Sequence, residues 1–97
     1  MERLTRRKRQ LLTAMFEDPD WSPTVLELGE RCVIRSGTMY PAMRTLREAG
    51  LVESRWDLPD DGQPVRRYRL TSAGKKLAQE IVAGTIVNTS WRNLVVR

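Results

Sequence analysis

The chain has 97 residues, 17 lysines and arginines against 12 aspartates and glutamates, a formal charge of +5 and 40% hydrophobic residues. That length allows one domain with a small core, and the charge favours a polyanionic partner, nucleic acid first, while the apolar content excludes a wholly disordered basic tail. One cysteine and no histidine leave no disulfide, no zinc-ligand set and no imidazole base, so neither a metal, a cofactor nor catalysis is expected. No apolar run approaches the ~20 residues of a membrane span, and the arginine-rich start lacks the apolar stretch of a signal peptide, so a cytoplasmic protein is expected.

In chain order, Arg3, Arg6, Arg7, Lys8 and Arg9 precede Leu11, Leu12, Met15 and Phe16, whose helical spacing runs to Asp18-Pro19. This predicts a first helix with a cationic start that opposes the helix dipole, a cost that an external phosphate would offset. The same residues read equally well as a solvated basic terminus. Ser22 is expected to cap a second helix, with Pro23 in its first position, where a missing N–H costs nothing. Val25, Leu28, Gly29 and Cys32 then form its core face, Leu26 flanks it, and the helix ends near Val33. Cys32 reads as a small buried hydrophobe, and Trp21 as packing at the helix junction.

The next stretch, Ser36 to Val52, organises the rest. Ser36 is expected to cap a third helix and Gly50 to stop it in the left-handed conformation. Met39, Ala42, Met43 and Leu46 make one apolar stripe. Opposite lie Gly37, Pro41, Arg44 and Glu48, flanked by Tyr40 and Arg47 and by Thr38 and Thr45, a face that begins small and polar and turns cationic. A helix entering a DNA major groove N-terminus first needs that order: small residues allow backbone approach, hydroxyls reach base edges, and arginine meets guanine or phosphate. The tight link to the second helix fits a helix-turn-helix better than an up-down bundle. An ordinary amphipathic surface helix is the competing reading of this stretch by itself.

After Gly50 the period falls to two. Val52, Ser54, Trp56 and Leu58 alternate with Glu53, Arg55 and Asp57; Arg66, Tyr68 and Leu70 alternate with Arg67 and Arg69. Pro59 to Pro64 between them predicts a loose-tipped hairpin, a wing whose outward face carries Arg55, Arg67 and Arg69. Protection of the hairpin edge is the alternative use of those arginines. Thr71 or Ser72 caps a last helix with the stripe Leu77, Ala78, Ile81 and Val82 before Gly84. Val87, Trp91, Leu94 and Val95 form a further stripe, to be buried either against a second copy of the chain or back on the first helix.

Ser36-Gly37-Thr38-Met39-Tyr40-Pro41-Ala42-Met43, continuing through Leu46, Glu48, Gly50 and Leu51, resembles the G-T-L-Y-P-A-L and L-x-x-x-G-L-I segments of the PadR-type winged helix-turn-helix transcriptional regulators. Arg66 to Gly74 is similar to that family's R-x-Y-x-L-T-x-x-G segment, a pattern that many winged-helix proteins share. Trp21-Ser22-Pro23-Thr24 stands where the family usually has a His-Gly-Tyr-like segment, and the family's long C-terminal domain is missing, as in its short branch. The resemblance implies an α+β, mainly helical, winged helix-turn-helix fold: three helices, a two-stranded wing and a C-terminal helix, with residues 1–97 as one DNA-binding domain and about 72–97 as its dimerisation helix. It places Val87, Trp91, Leu94 and Val95 at the dimer interface. A small-molecule effector at that interface, as some members have, is hinted at only by Trp21 and Trp91.

The expected function is a homodimeric, sequence-specific repressor that binds double-stranded DNA. Thr38, Tyr40 and Arg44 would read the major groove, Ser36, Gly37 and the helix start would hold phosphate, and Arg55, Arg66, Arg67 and Arg69 would grip the backbone or minor groove. The rival is an architectural or accessory DNA-binding factor in recombination or replication.

Overall fold

The computed structural model describes residues 4–84, and the stripe Val87, Trp91, Leu94 and Val95 lies outside them. The elements run α1 (Arg6–Glu17), α2 (Val25–Cys32), α3 (Ser36–Glu48), β1 (Val52–Asp57), β2 (Val65–Leu70) and α4 (Ser72–Val82). Each boundary has a local cause. Thr5 starts α1 by accepting the Lys8 N–H at 3.2 Å, and Pro19 ends it by pushing Asp18 out of the helical region.

The start of α2 corrects the expectation from sequence by two residues. Thr24, not Ser22, is the cap: its hydroxyl accepts the Glu27 N–H (3.1 Å) while Glu27 Oε1 accepts the Thr24 N–H (2.9 Å). This reciprocal box satisfies two orphan donors, which Ser22 could not do. Ser22 and Pro23 instead lie ahead of the helix and beside the hairpin, where the Tyr68 N–H donates to the Pro23 carbonyl at 2.9 Å. Val33 ends α2 with φ 57, a left-handed conformation unusual for a β-branched residue. The Ile34 N–H reaches the Gly29 carbonyl (2.8 Å) to close the turn. A Cβ at Gly29 would sit 2.9 Å from the Ile34 carbonyl and 3.1 Å from Met39 Cγ, so glycine allows α3 to follow this closely.

Ser36 also moves by one position: it is the first residue of α3, and Arg35 is the cap, without a side-chain bond. The Arg35 carbonyl accepts both the Thr38 and Met39 N–H groups at 3.0 Å. Gly50 stops the helix as expected, with φ 77. Its N–H bonds the Arg47 carbonyl, and the Leu51 N–H bonds that of Leu46, the paired closure that a left-handed residue permits.

The strands β1 and β2 are antiparallel, in register from Val52↔Leu70 to Asp57↔Val65. Thr71 resolves the two candidates for the last cap: its hydroxyl accepts the Gly74 N–H (3.1 Å) and donates to the Gly50 carbonyl (2.6 Å), tying α4 to the end of α3. The core joins Leu11, Leu12 and Met15 of α1, Val25, Leu28 and Cys32 of α2, Met39, Met43 and Leu46 of α3, Leu51, Val52, Tyr68 and Leu70 around the hairpin base, and Leu77 and Ala78 of α4. Leu4 is buried there as well. Each fully buried leucine contributes about 1.5–3 kcal/mol, so the cluster anchors α3 and the hairpin base on one body. Val82, counted with the α4 stripe in the sequence, is exposed. Three helices, the hairpin and α4 together form a winged helix-turn-helix.

Candidate nucleic-acid interface

The α3 stripe behaves as its spacing predicts. Met39, Met43 and Leu46 are buried and Ala42 is half-buried, which turns Ser36, Gly37, Tyr40, Pro41, Arg44, Arg47 and Glu48 to solvent. Thr38 and Thr45 are half-buried on the flank. Pro41 lacks the N–H that would bond the Gly37 carbonyl, and the Thr45 hydroxyl donates to the Pro41 carbonyl at 3.0 Å. Thr45 is therefore occupied within its own helix. The side chains of Ser36, Thr38, Tyr40, Arg44 and Arg47 have no hydrogen-bond or ion-pair partner among the described residues. Tyr40 keeps 54% of its surface exposed, a poor arrangement for an aromatic ring unless something else covers it.

On the wing, four arginines that look alike in sequence divide by their surroundings. Arg55 is exposed and unpaired among the described residues. Arg66 lies over the ring of its cross-strand neighbour Trp56, with its guanidinium carbon 5.3 Å from the centroid. Arg69 makes one exposed ion pair, Nε to Glu53 Oε1 at 2.7 Å. Arg67 is the most engaged: Nε donates to Asp57 Oδ2 at 3.0 Å, and Nη1 donates to the Ser22 carbonyl at 3.0 Å and to Glu27 Oε1 at 3.1 Å. The hydrogen bond to Asp57 is the main cause that raises its already high pKa further. The sequence reading treats Arg67 as a free cation, and this web of acceptors is what it misses.

The sequence reading also passes over a cleft of about 420 Å³ between the start of α2, α3 and the wing, where the exposed Leu26, Tyr40 and Trp56 meet Arg66. Helical spacing marks Leu26 as a flank residue, yet nothing local announces that Trp56 faces it. Trp21 is half-buried against the core, as expected, with Arg31 stacked 4.8 Å from its ring centroid. Cys32 is buried, and burial pushes its thiol pKa up. Among the described residues no group of three metal-ligating side chains comes together, and none of their helices is long and apolar enough to cross a membrane.

The model of the transcriptional regulator PadR-like family matches residues 25–80, from the first residue of α2 through most of α4. The chain belongs to this family. Its members are transcriptional regulators rather than enzymes, and the match takes in α3 and the whole wing. Among curated proteins none matches the chain. Solved structures with the same fold include a variant of MepR from Staphylococcus aureus bound to an oligodeoxyribonucleotide, with a TM-score of 0.75 at 16% identity over 84% of this chain. The transcriptional regulator SlyA aligns with a TM-score of 0.70 at 22% identity, and Lactococcus lactis ZitR with 0.70 at 21%, each over 84% of this chain. The chain spans 57%, 55% and 58% of those three structures' own lengths.

Proposed function

We propose that the chain binds double-stranded DNA sequence-specifically as a homodimer and represses transcription by occluding a promoter, acting in the cytoplasm and without catalysis. Thr38, Tyr40 and Arg44 read base edges in the major groove, while Ser36 and Gly37 at the start of α3 approach phosphate. Arg55 and Arg66 hold the backbone from the wing. Arg69 can join them, because an exposed single ion pair such as that to Glu53 is cheap to exchange. Residues 1–97 act as one domain whose C-terminal part, about 72–97, carries the dimer contact through Val87, Trp91, Leu94 and Val95.

The observation that carries this reading is the exposed polar face of α3, whose Ser36, Thr38, Tyr40 and Arg44 have no partner among the described residues, on a helix held rigidly by its opposite face. Family membership and the oligodeoxyribonucleotide on a MepR variant of the same fold support it. Selection of duplexes from a random library tests it: enrichment of an inverted repeat with half-sites about one helical turn apart is expected. No enrichment would favour the accessory DNA-binding module instead. Sedimentation tests the dimer, with a dimeric wild type and a largely monomeric Trp91→Ala expected; a monomeric wild type removes that part of the proposal.

A further inference from the structure

We infer that Arg67 is a positioning residue that clamps the wing onto the start of α2, and that it does not contact DNA phosphate. Its guanidinium offers five N–H donors in a rigid fork. The single Nε hydrogen and both Nη1 hydrogens are taken, by Asp57 at the end of β1, by the Ser22 carbonyl in the loop before α2, and by Glu27 in the first turn of α2. Only 30% of the side chain is exposed, half the 59% of Arg69. Among the described residues only its two Nη2 hydrogens are left without an acceptor, and Asp57 and Glu27, which already pair the charge, would repel a phosphate brought to them. Arg69, with one exposed carboxylate partner, turns to a phosphate more easily.

The place of the three acceptors gives the clamp its consequence. Glu27 Oε1 accepts the Thr24 N–H as well as Arg67, so the same carboxylate caps α2 and ties it to β2. One residue along, the Tyr68 N–H is bonded to the Pro23 carbonyl. From α2 the tight turn past Gly29 leads directly into α3. A two-stranded hairpin alone has little stability of its own and takes its direction from what it docks against. Arg67 therefore sets where Arg55 and Arg66 stand relative to Arg44, a spacing the DNA-binding proposal needs. Lysine cannot substitute, since one ammonium does not present a fork from two nitrogens.

The positioning role rests on the DNA-binding reading, while the clamp itself can be tested without DNA. Amide hydrogen exchange of the full chain should speed up by about tenfold across 53–57 and 65–69 in both Arg67→Ala and Arg67→Lys, with α1 and α4 unchanged. Unchanged exchange overturns the clamp, whatever DNA does. On a duplex selected from the random library, both variants should bind about tenfold more weakly, with little change on random duplex and a salt slope equal to that of wild type. A slope flattened by about 0.9 in Arg67→Ala, together with wild-type affinity in Arg67→Lys, would make Arg67 a phosphate contact and overturn the inference. If wild type binds no duplex at all, the proposed function fails separately, and exchange alone decides the clamp.

Discussion

Arg44 on α3 and Arg67 on β2 are the same side chain under opposite constraints. Arg44 stands exposed with no partner among the described residues. Arg67 is held by Asp57, Glu27 and the Ser22 carbonyl. The wing repeats the division: among the described residues Arg55 has no partner, while Arg69 carries one. A cation is available to a polyanion only to the extent that the fold leaves its donors unspent. The count of basic residues therefore overstates the binding face, and the acidic residues Glu27, Glu53 and Asp57 decide which arginines remain.

The largest test removes the platform that both regions share. Leu46→Ala leaves a cavity under α3 where the side chain is fully buried and should cost about 2–5 kcal/mol in urea unfolding. A loss well below 1 kcal/mol would mean that α3 is not anchored through this stripe. Arg44→Ala should leave folding intact and weaken cognate binding by about 1–3 kcal/mol, with a much smaller effect on random duplex. Equal losses on both would remove Arg44 from base reading. Replacing Arg55 and Arg66 together by alanine should lower affinity uniformly across sequences and flatten the salt slope by about two units. An unchanged slope would place these two off the backbone and sharpen the comparison the other way.

The smallest effect concerns Cys32. Burial holds its thiol above the ordinary value of 9.0, with the Arg31 charge pulling in the opposite direction. The unfolded chain then gives up the proton at lower pH than the folded one. This contribution to stability is complete below about pH 9 and is lost as pH rises through the folded value. Cys32→Ser should remove that alkaline component of the unfolding curve; an identical pH dependence in the variant would assign it elsewhere.

Local signals were readable in the sequence. Met39, Met43 and Leu46 announced the buried face of α3 by spacing, and Gly50 its end, because both depend on residues within a few positions. The start of α2 is ambiguous in the sequence: Thr24 and Glu27 stand at capping-box spacing, and Ser22-Pro23 offers a competing start two residues earlier. The start of α3 differs from the sequence expectation by one residue because the Arg35 backbone carbonyl, with no side-chain signal, does the capping. Pairing of Arg69 with Glu53 follows from the hairpin register once that is fixed. The acceptors of Arg67 were out of reach, since Glu27 and Ser22 lie 40 and 45 residues away in sequence and no periodicity links them. The same holds for the cleft that brings Leu26 to Trp56.

If the open face of α3 reads base edges with Arg44 as its guanine contact, changes to Arg44 and to that guanine must be coupled. A cycle that pairs a protein change with a DNA change tests it most directly: wild type and Arg44→Ala are titrated with the selected duplex and with one carrying 7-deazaguanine in the half-sites. Removing the guanine N7 should weaken wild type by about 1–3 kcal/mol and leave the already weakened Arg44→Ala almost unaffected, because the same contact is lost only once. Two losses that simply add would mean that Arg44 and those guanines never meet.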